Sequence, residues 1–224
     1  MIKTEERNEI LEKLSIGLLI AIIFIIVFNL YRTSSLSDNT TSAVVGTIIK
    51  QQSTGYVDVT PKGIPRIYGE KLGVSYDDIS ISDQKKADKI IGDIGNLDNK
   101  VILNDNEMKR YISIAMNIGC EYCCGAESII FSNGQAACGC SHSYAMRGLA
   151  KYLIKYHPNE FTDSQILEEL GKWKTLFFPD NIGRKAFILK SKGIELNYIN
   201  LASNKYRNIE KGVDTNNGAM VGGC

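Results

Sequence analysis

The chain has 224 residues, and its 26 lysines and arginines nearly balance its 25 aspartates and glutamates, leaving a formal charge of +1. A neutral chain has no overall field to attract a polyanion, which argues against nucleic acid as a partner. Hydrophobic residues make up 44% and charged residues 23%, which excludes a wholly disordered chain. Two local concentrations stand out, an apolar run near the beginning and five of the six cysteines between Cys120 and Cys140.

The first predicted element is a transmembrane helix over residues 14–31, LSIGLLIAIIFIIVFNLY, which contains no charged side chain. Such a helix spans about 27 Å, close to the roughly 30 Å hydrocarbon core of a lipid bilayer. A cleaved signal peptide and a buried helix are the alternatives, although no small-residue cleavage site follows the run. Basic residues before the run predict that residues 1–13 form a cytosolic tail. We therefore expect a single-pass protein of the cell membrane with an extracytoplasmic domain.

The exported part is predicted to comprise a flexible linker, 32–55, and a Cys-cluster domain, 56–224. The linker contains the polar stretch TSSLSDNTTSA, which cannot bury enough apolar surface to order itself. This stretch includes an N-x-[ST] sequon at Asn39, a weak indication of glycosylation.

The domain is expected to be compact and mainly α, with a small α+β arrangement as the alternative. Residues 44–67 mix short apolar runs with Gly and Pro, which suits short strands or an extended wrapping segment. Apolar side chains at three- and four-residue spacing then predict successive helices. Their predicted starts are Ser82, Asn104, Ser141, Thr162 and residue 182, and Asn104 and Thr162 have capping-box spacing. The final residues, 212–224, are predicted to form a loose tail.

The cysteine-rich loop begins the segment CEYCCGAESIIFSNGQAACGCSHSYAM, residues 120–146. It reduces to C-x2-C-C, a thirteen-residue spacer, and C-x-C-x-H. Closely spaced ligand pairs in tight turns can point at one ion, and two pairs close a tetrahedral site with four sulfur ligands. The predicted ligands are Cys120, Cys123, Cys138 and Cys140, with Cys124 as substitute or additional ligand and His142 able to replace any one of them.

Soft thiolate ligands favour zinc or Cu(I) at such a site. Four thiolates around a divalent ion carry a net charge of about −2, which Arg147 and the start of the helix near His142 would offset. Met146 lies one turn beyond His142 and could add a thioether, but its sequence context favours a core position. We expect a metal-binding protein for sequestration, delivery or sensing, with a metal or thiol exchange partner, rather than an enzyme.

Two other functions remain open. Six cysteines in an exported domain could form a disulfide framework, which would make the domain a stapled binding or structural module. Alternatively, Cys120-x-x-Cys123 could serve an anchored thiol-disulfide oxidoreductase, although the alternating strand and helix pattern of a thioredoxin-like fold is lacking. Cys224 could complete a disulfide with the cluster, cap the metal site or exchange with a partner.

The C-x2-C…C-x-C order followed by a helix is similar to the helical two-iron domain of molybdenum hydroxylases. That resemblance covers four positions and implies a [2Fe–2S] cluster on Cys120, Cys123, Cys138 and Cys140. The spacer here is shorter and Cys124 is additional, and an exported chain without a twin-arginine signal makes this cofactor less favoured. The Cys-Cys-His-Met grouping also resembles a dinuclear copper loop in its ligand types, with different spacings.

Overall fold

The computed structural model describes residues 22–23, 25–28, 55–211 and 218–223. The chain divides into two units, Met1–Thr54 and Gly55–Cys224. The described residues of the first unit are helical and exposed. Across all the described ranges, no helix has the length and apolar character needed to cross a membrane. The predicted tail 1–13, the rest of the anchor, the linker to residue 54, the Asn39 sequon and Cys224 lie outside these ranges.

The second unit is mainly helical, as predicted. Eight α-helices follow one another in its described residues: α1 Gly69–Leu72, α2 Gln84–Gly95, α3 Leu97–Lys100, α4 Asp105–Ala115, α5 Ser141–Tyr156, α6 Asp163–Phe177, α7 Pro179–Ser191 and α8 Tyr198–Ala202. Three 3-10 helices, Tyr76–Asp78, Ile81–Asp83 and Asn204–Tyr206, complete the set. The same residues contain no strand, only two isolated bridges, Cys120 with Ala126 and Ile130 with Ala136. The described part of the segment 44–67 therefore contains none of the short strands expected there, and Val57 N donates to Gly183 O in α7 at 3.0 Å.

The two predicted capping boxes are present at the starts of α4 and α6. Two other helix starts differ from prediction by one residue, because Asp83 caps α2 in place of Ser82 and Cys140 caps α5 in place of Ser141. In both cases the side chain of the residue directly before the helix accepts a hydrogen bond from an N–H group of the first turn. Helix α7 begins at Pro179, three residues before its predicted start at 182, because proline's missing N–H costs nothing in the first turn.

Helix α5 lies at the centre of the domain and packs against α2, α3, α4 and α6. Its aliphatic side chains are buried, including Met146, Leu149 and Leu153. Gly148 allows the end of α2 to come close, since a Cβ there would collide with the carbonyl oxygen of Ile94. This packing holds the start of α5, and therefore Cys140, against the cysteine-rich loop.

Residues 218–223 are ordered against the domain, so the prediction of a loose tail was wrong for them. Val221 is 1% exposed and its N–H donates to the Phe177 carbonyl oxygen at 2.9 Å. Gly222 N donates to Gln84 Oε1 at 2.7 Å and Gly223 N to Asp88 Oδ1 at 2.9 Å. The burial of Val221 and these hydrogen bonds stabilise the ordered conformation of 218–223, which the Gly-rich composition of the segment did not indicate.

Candidate metal centre

The chain reverses direction immediately after Cys120, which brings the first group of cysteines together. Cys120 N donates to Ala126 O at 3.1 Å, and Gly125 N donates to Cys120 O at 3.0 Å. Gly125 has a φ of 75°, a left-handed conformation that favours glycine. Cys120 is buried, and the turn brings Cys124, which is exposed, back beside it.

Four sulfur atoms then meet where this turn contacts the start of α5. The Sγ atoms of Cys120, Cys124, Cys138 and Cys140 all lie within 4.8 Å of one another. Cys140 Sγ is 3.3 Å from Cys120 Sγ and 3.4 Å from Cys138 Sγ. A zinc ion with bonds of about 2.3 Å to four thiolates places them about 3.8 Å apart. The cluster therefore has the dimensions of a site for one metal ion.

The cluster is partly oxidised. Cys124 and Cys138 form a disulfide, whereas Cys120 and Cys140 are buried free thiols. Cys123 is disulfide-bonded as well. Two of the four sulfur atoms are thus available as thiolates, and the other two become available on reduction of the Cys124–Cys138 bond.

A second group of donors shares Cys140 with the first. The ligand atoms of Cys123, Cys140 and His142 also lie within 4.8 Å of one another. His142 is fully buried, and its ring packs against those of Phe177 and Phe178 at centroid distances of 4.8 and 4.9 Å. Its Nε2 lies 2.8 Å from the Val221 carbonyl oxygen, an acceptor, so Nε2 carries a proton. Nδ1 is therefore the nitrogen through which His142 can bind a metal ion or, when it carries a proton, donate to Cys140. A hydrogen bond from the other ring nitrogen to a carbonyl oxygen is typical of metal-binding histidines.

The thiols of Cys120 and Cys140 differ in their affinity for a proton. The hydrogen bond from Cys120, together with those from His142 and Ser143, lowers the pKa of Cys140. The same Cys120–Cys140 hydrogen bond, together with burial, raises the pKa of Cys120. Because Cys140 caps α5, its sulfur also lies at the positive end of the helix dipole. Cys140 is consequently the thiol that ionises first.

A buried group of charges lies directly beside the sulfur atoms. Glu121, whose side chain is 1% exposed, has its carboxylate 2.6 Å from Lys174 Nζ, 3.4 Å from Arg207 and 3.8 Å from Lys185 Nζ. Glu210 accepts a hydrogen bond from Tyr122 at 2.8 Å and adds a second carboxylate. Three cations therefore face two carboxylates, which leaves one positive charge in excess next to Cys120.

Burial disfavours the charged form of both lysines in this group. Burial lowers the pKa of Lys174, against the opposing effect of Glu121. Burial, and then the neighbouring Lys174, lower the pKa of Lys185 to about 8. Lys185 Nζ has no hydrogen-bond partner among the described residues. A nearby negative charge would compensate these cations.

Arg147 fixes the other side of the cluster. It is 1% exposed, its Nε donates to Asp98 at 2.7 Å, and its Nη1 donates to the carbonyl oxygens of Cys138 at 2.8 Å and Ile129 at 3.3 Å. Lys151 also contacts Asp98, at 2.6 Å. Arg147 thus ties the backbone at Cys138 to α5 and places a positive charge near the sulfur atoms.

The geometry differs in one respect from the sequence-based ligand set. The structure groups Cys124, rather than Cys123, with Cys120, Cys138 and Cys140, because the turn that begins at Cys120 brings Cys124 back to it. Cys123 is instead near His142. Met146 is buried in the apolar core.

The buried charges were missed by sequence reasoning, although a signal for two of them exists. Lys174 follows Leu170 by four residues, and Lys185 follows Ile182 by three, so both occupy the apolar face of their helices. A lysine at such a position is a candidate for burial. Glu121 and Arg207 carry no comparable pattern.

No family model, no curated protein and no solved structure matches this chain. The functional conclusion therefore depends on the site itself, a cluster of cysteine and histidine side chains that could hold a metal ion.

Proposed function

We propose that the second unit binds one soft or borderline metal ion, zinc or Cu(I), through Cys120, Cys124, Cys138 and Cys140 in their reduced form. The observation that carries this proposal is the mutual approach of their four sulfur atoms within 4.8 Å. A disulfide staple needs only two sulfur atoms, whereas a tetrahedral site made of thiolates alone needs four. His142, and Cys123 once its own disulfide is reduced, supply two further donors at the edge of the site, so that an ion could be exchanged between donors during delivery.

The electrostatic surroundings support a bound metal thiolate. Four thiolates and a divalent ion carry a net charge of about −2. Lys174, Lys185 and Arg207 leave a positive excess over Glu121 and Glu210 on one side, and Arg147 adds a cation on the other. Arg147 is already paired with Asp98, and Lys174 and Arg207 are paired with Glu121. The charge that lacks compensation without an anionic centre is therefore mainly that of Lys185.

Metal titration of the reduced full chain in detergent tests the proposal. Zinc is added under anaerobic conditions in competition with a chromophoric chelator, and cadmium is used to reveal thiolate-to-metal charge-transfer absorption. We expect one ion per chain, and an affinity at least about 100-fold lower in Cys138→Ser. Cys224→Ser, which removes a cysteine outside the four, serves as the matched control and keeps the affinity. A reduced wild-type chain that binds no metal would refute the proposal.

The anchor completes the proposed function. The apolar run 14–31 would hold the metal-binding domain at the outer side of the cell membrane, with residues 1–13 in the cytosol. In membranes washed with alkaline carbonate the chain should remain in the pellet, and protease added outside intact cells should digest the second unit. Replacing Ile22 and Ile25 by lysine should release the protein from the pellet, and an unchanged pellet would argue against the anchor.

One observation favours a second candidate, a disulfide-stapled binding domain. The Cys124–Cys138 disulfide closes a loop whose ends lie 14 residues apart in sequence. If this bond is permanent, the wild-type chain resists mild reduction and holds no metal. The oxidoreductase candidate that uses Cys120-x-x-Cys123 gains no support, because Cys120 is a free thiol.

A further inference from the structure

The same sulfur atoms cannot serve the disulfide and the metal ion at once. A sulfur in a disulfide carries no thiolate charge and is not a thiolate ligand. With Cys124 and Cys138 joined, only Cys120 and Cys140 of the four-sulfur group remain as thiols. The cluster therefore has two mutually exclusive states, one with a disulfide and one with four thiols.

The four positions differ sharply in their access to solvent. Cys124 is exposed, whereas Cys120, Cys138 and Cys140 are 0%, 5% and 8% exposed. Thiol-disulfide exchange requires a thiolate to approach one sulfur of the bond from outside. An external thiol can therefore reach the disulfide through Cys124 and not through Cys138.

We propose that metal binding is controlled by a dithiol reductant that opens the Cys124–Cys138 disulfide by attack on Cys124. This inference rests on the proposed metal-binding function. The attacking thiolate forms a bond to Cys124 Sγ while the Cys124–Cys138 bond breaks, and Cys138 leaves as a thiolate. The second thiol of the reductant then displaces Cys124, so that the reductant becomes a disulfide and the protein gains two electrons and two protons.

The two released sulfur atoms are already in place to bind metal. Cys138 Sγ is 3.4 Å from Cys140 Sγ, which is itself 3.3 Å from Cys120 Sγ. A divalent ion that binds the four thiols displaces four protons and leaves a four-thiolate complex, with no large movement of the turn or of α5. In the reverse direction, an external disulfide that oxidises Cys124 and Cys138 expels the ion.

The first experiment follows the chemical route and needs no metal. The oxidised full chain is incubated with glutathione, quenched with acid and mapped by peptide mass spectrometry. We expect the glutathione adduct on Cys124, with Cys138 released as a thiol. An adduct mainly on Cys138, or no adduct on either cysteine under conditions where dithiothreitol opens the Cys124–Cys138 bond, would overturn the proposed route.

The second experiment compares zinc affinity in two preparations of the wild-type chain, so that folding of a variant is not in question. One preparation retains the Cys124–Cys138 bond, verified by peptide mapping, and the other is reduced with dithiothreitol and freed of reductant. We expect at least about 100-fold tighter zinc binding in the reduced chain. Equal, tight binding by both preparations would refute redox control, whereas failure of the reduced chain to bind zinc would refute the proposed function itself.

A third measurement tests the reverse reaction. Zinc-loaded and zinc-free reduced chains are exposed to oxidised glutathione, and formation of the Cys124–Cys138 bond is followed by peptide mapping. Because the bound metal ion is coordinated by the thiolates of Cys124 and Cys138, we expect the disulfide between them to form at least tenfold more slowly in the loaded chain. Equal rates would show that Cys124 and Cys138 do not bind the ion and would overturn the exclusive two-state proposal.

Discussion

His142 Nε2 donates a hydrogen bond to the carbonyl oxygen of Val221 at 2.8 Å, which links the start of α5 to the segment 218–223. A carbonyl only accepts, so this bond fixes the proton on Nε2 and leaves Nδ1 for the cysteine cluster. A residue 79 positions away in sequence therefore decides which nitrogen His142 offers to Cys140.

Two substitutions of His142 should separate the two nitrogens. A glutamine amide occupies roughly the position of Nε2 and an asparagine amide roughly that of Nδ1. In His142→Gln, loss of the hydrogen bond that lowers the pKa of Cys140 should move the pH midpoint of its alkylation upward, by about one pH unit. Iodoacetamide labelling across pH, read by peptide mass, measures the midpoint.

His142→Asn should give the opposite pattern. It keeps a polar atom toward Cys140 and loses the contact with Val221, so amide exchange in 218–223 should accelerate at least tenfold while the alkylation midpoint stays near wild type. If both variants shift the midpoint equally, the assignment of the two nitrogens is incorrect.

Arg147→Met should strongly destabilise the domain. It removes the donor to the Cys138 and Ile129 carbonyl oxygens and one partner of the buried Asp98 carboxylate. The expected loss in the free energy of unfolding is about 3–5 kcal/mol, measured by urea denaturation of the reduced apoprotein. Lys155→Met, on the same helix but in a half-exposed pair with Glu107, is the control and should cost less than about 1 kcal/mol. Similar losses in both variants would contradict the role given to Arg147.

Lys185→Met should stabilise the apoprotein in a pH-dependent way. Burial holds the pKa of Lys185 in the folded chain at about 8, below its ordinary value of 10.5, so the unfolded chain binds the proton more tightly. The free-energy cost of burying the charged Lys185 ammonium is complete below about pH 8, falls as the pH rises, and is gone above about pH 10.5. We expect a gain on the order of 1–3 kcal/mol at pH 7 and little at pH 10.5, from urea denaturation at both values. Lys190→Met, at an exposed position on α7, is the control and should leave the free energy of unfolding unchanged at both pH values. A gain in Lys185→Met that does not depend on pH would refute the buried charge as its cause.

Peptide mapping of the non-reduced chain should identify the partner of Cys123. Cys123 is disulfide-bonded, but Cys124 and Cys138 are joined to each other, and Cys120 and Cys140 are free thiols. The remaining cysteine, Cys224, lies outside the described residues, and we predict that it is this partner. The neighbouring Gly223 supports this pairing, because its carbonyl oxygen accepts a hydrogen bond from Ser141, next to Cys140.

The expected result is a peptide pair joined through Cys123 and Cys224, absent in Cys224→Ser. In that variant amide exchange in 218–223 should accelerate, since the covalent closure is lost. Complete alkylation of Cys224 in the folded, non-reduced wild-type chain would rule out the pairing.

The five longer helices of the domain could be predicted because their signals are local, whereas the short helices α1, α3 and α8 were not predicted. Asn104 with Glu107 and Thr162 with Gln165 form the capping boxes that their spacing indicates, and the apolar stripe ending at Phe177 is buried. Hydrogen bonds between residues three apart and a helical period of 3.6 are properties of short segments, so one sequence is enough to recognise them. The cysteine spacing similarly indicated a cluster with enough sulfur for one ion.

What the sequence left open was decided by contacts between distant segments. The turn that begins at Cys120 places Cys124, rather than Cys123, in the four-sulfur group. The hydrogen bond to the Val221 carbonyl oxygen determines which nitrogen of His142 carries a proton. The burial of Lys174 and Lys185 around Glu121 likewise joins three segments far apart in the chain. The sequence alone determined the five longer helices and that sulfur ligands concentrate in one loop. Only the tertiary structure decided which of these sulfurs meet and which charges surround them, because those choices depend on how whole helices pack rather than on local spacing.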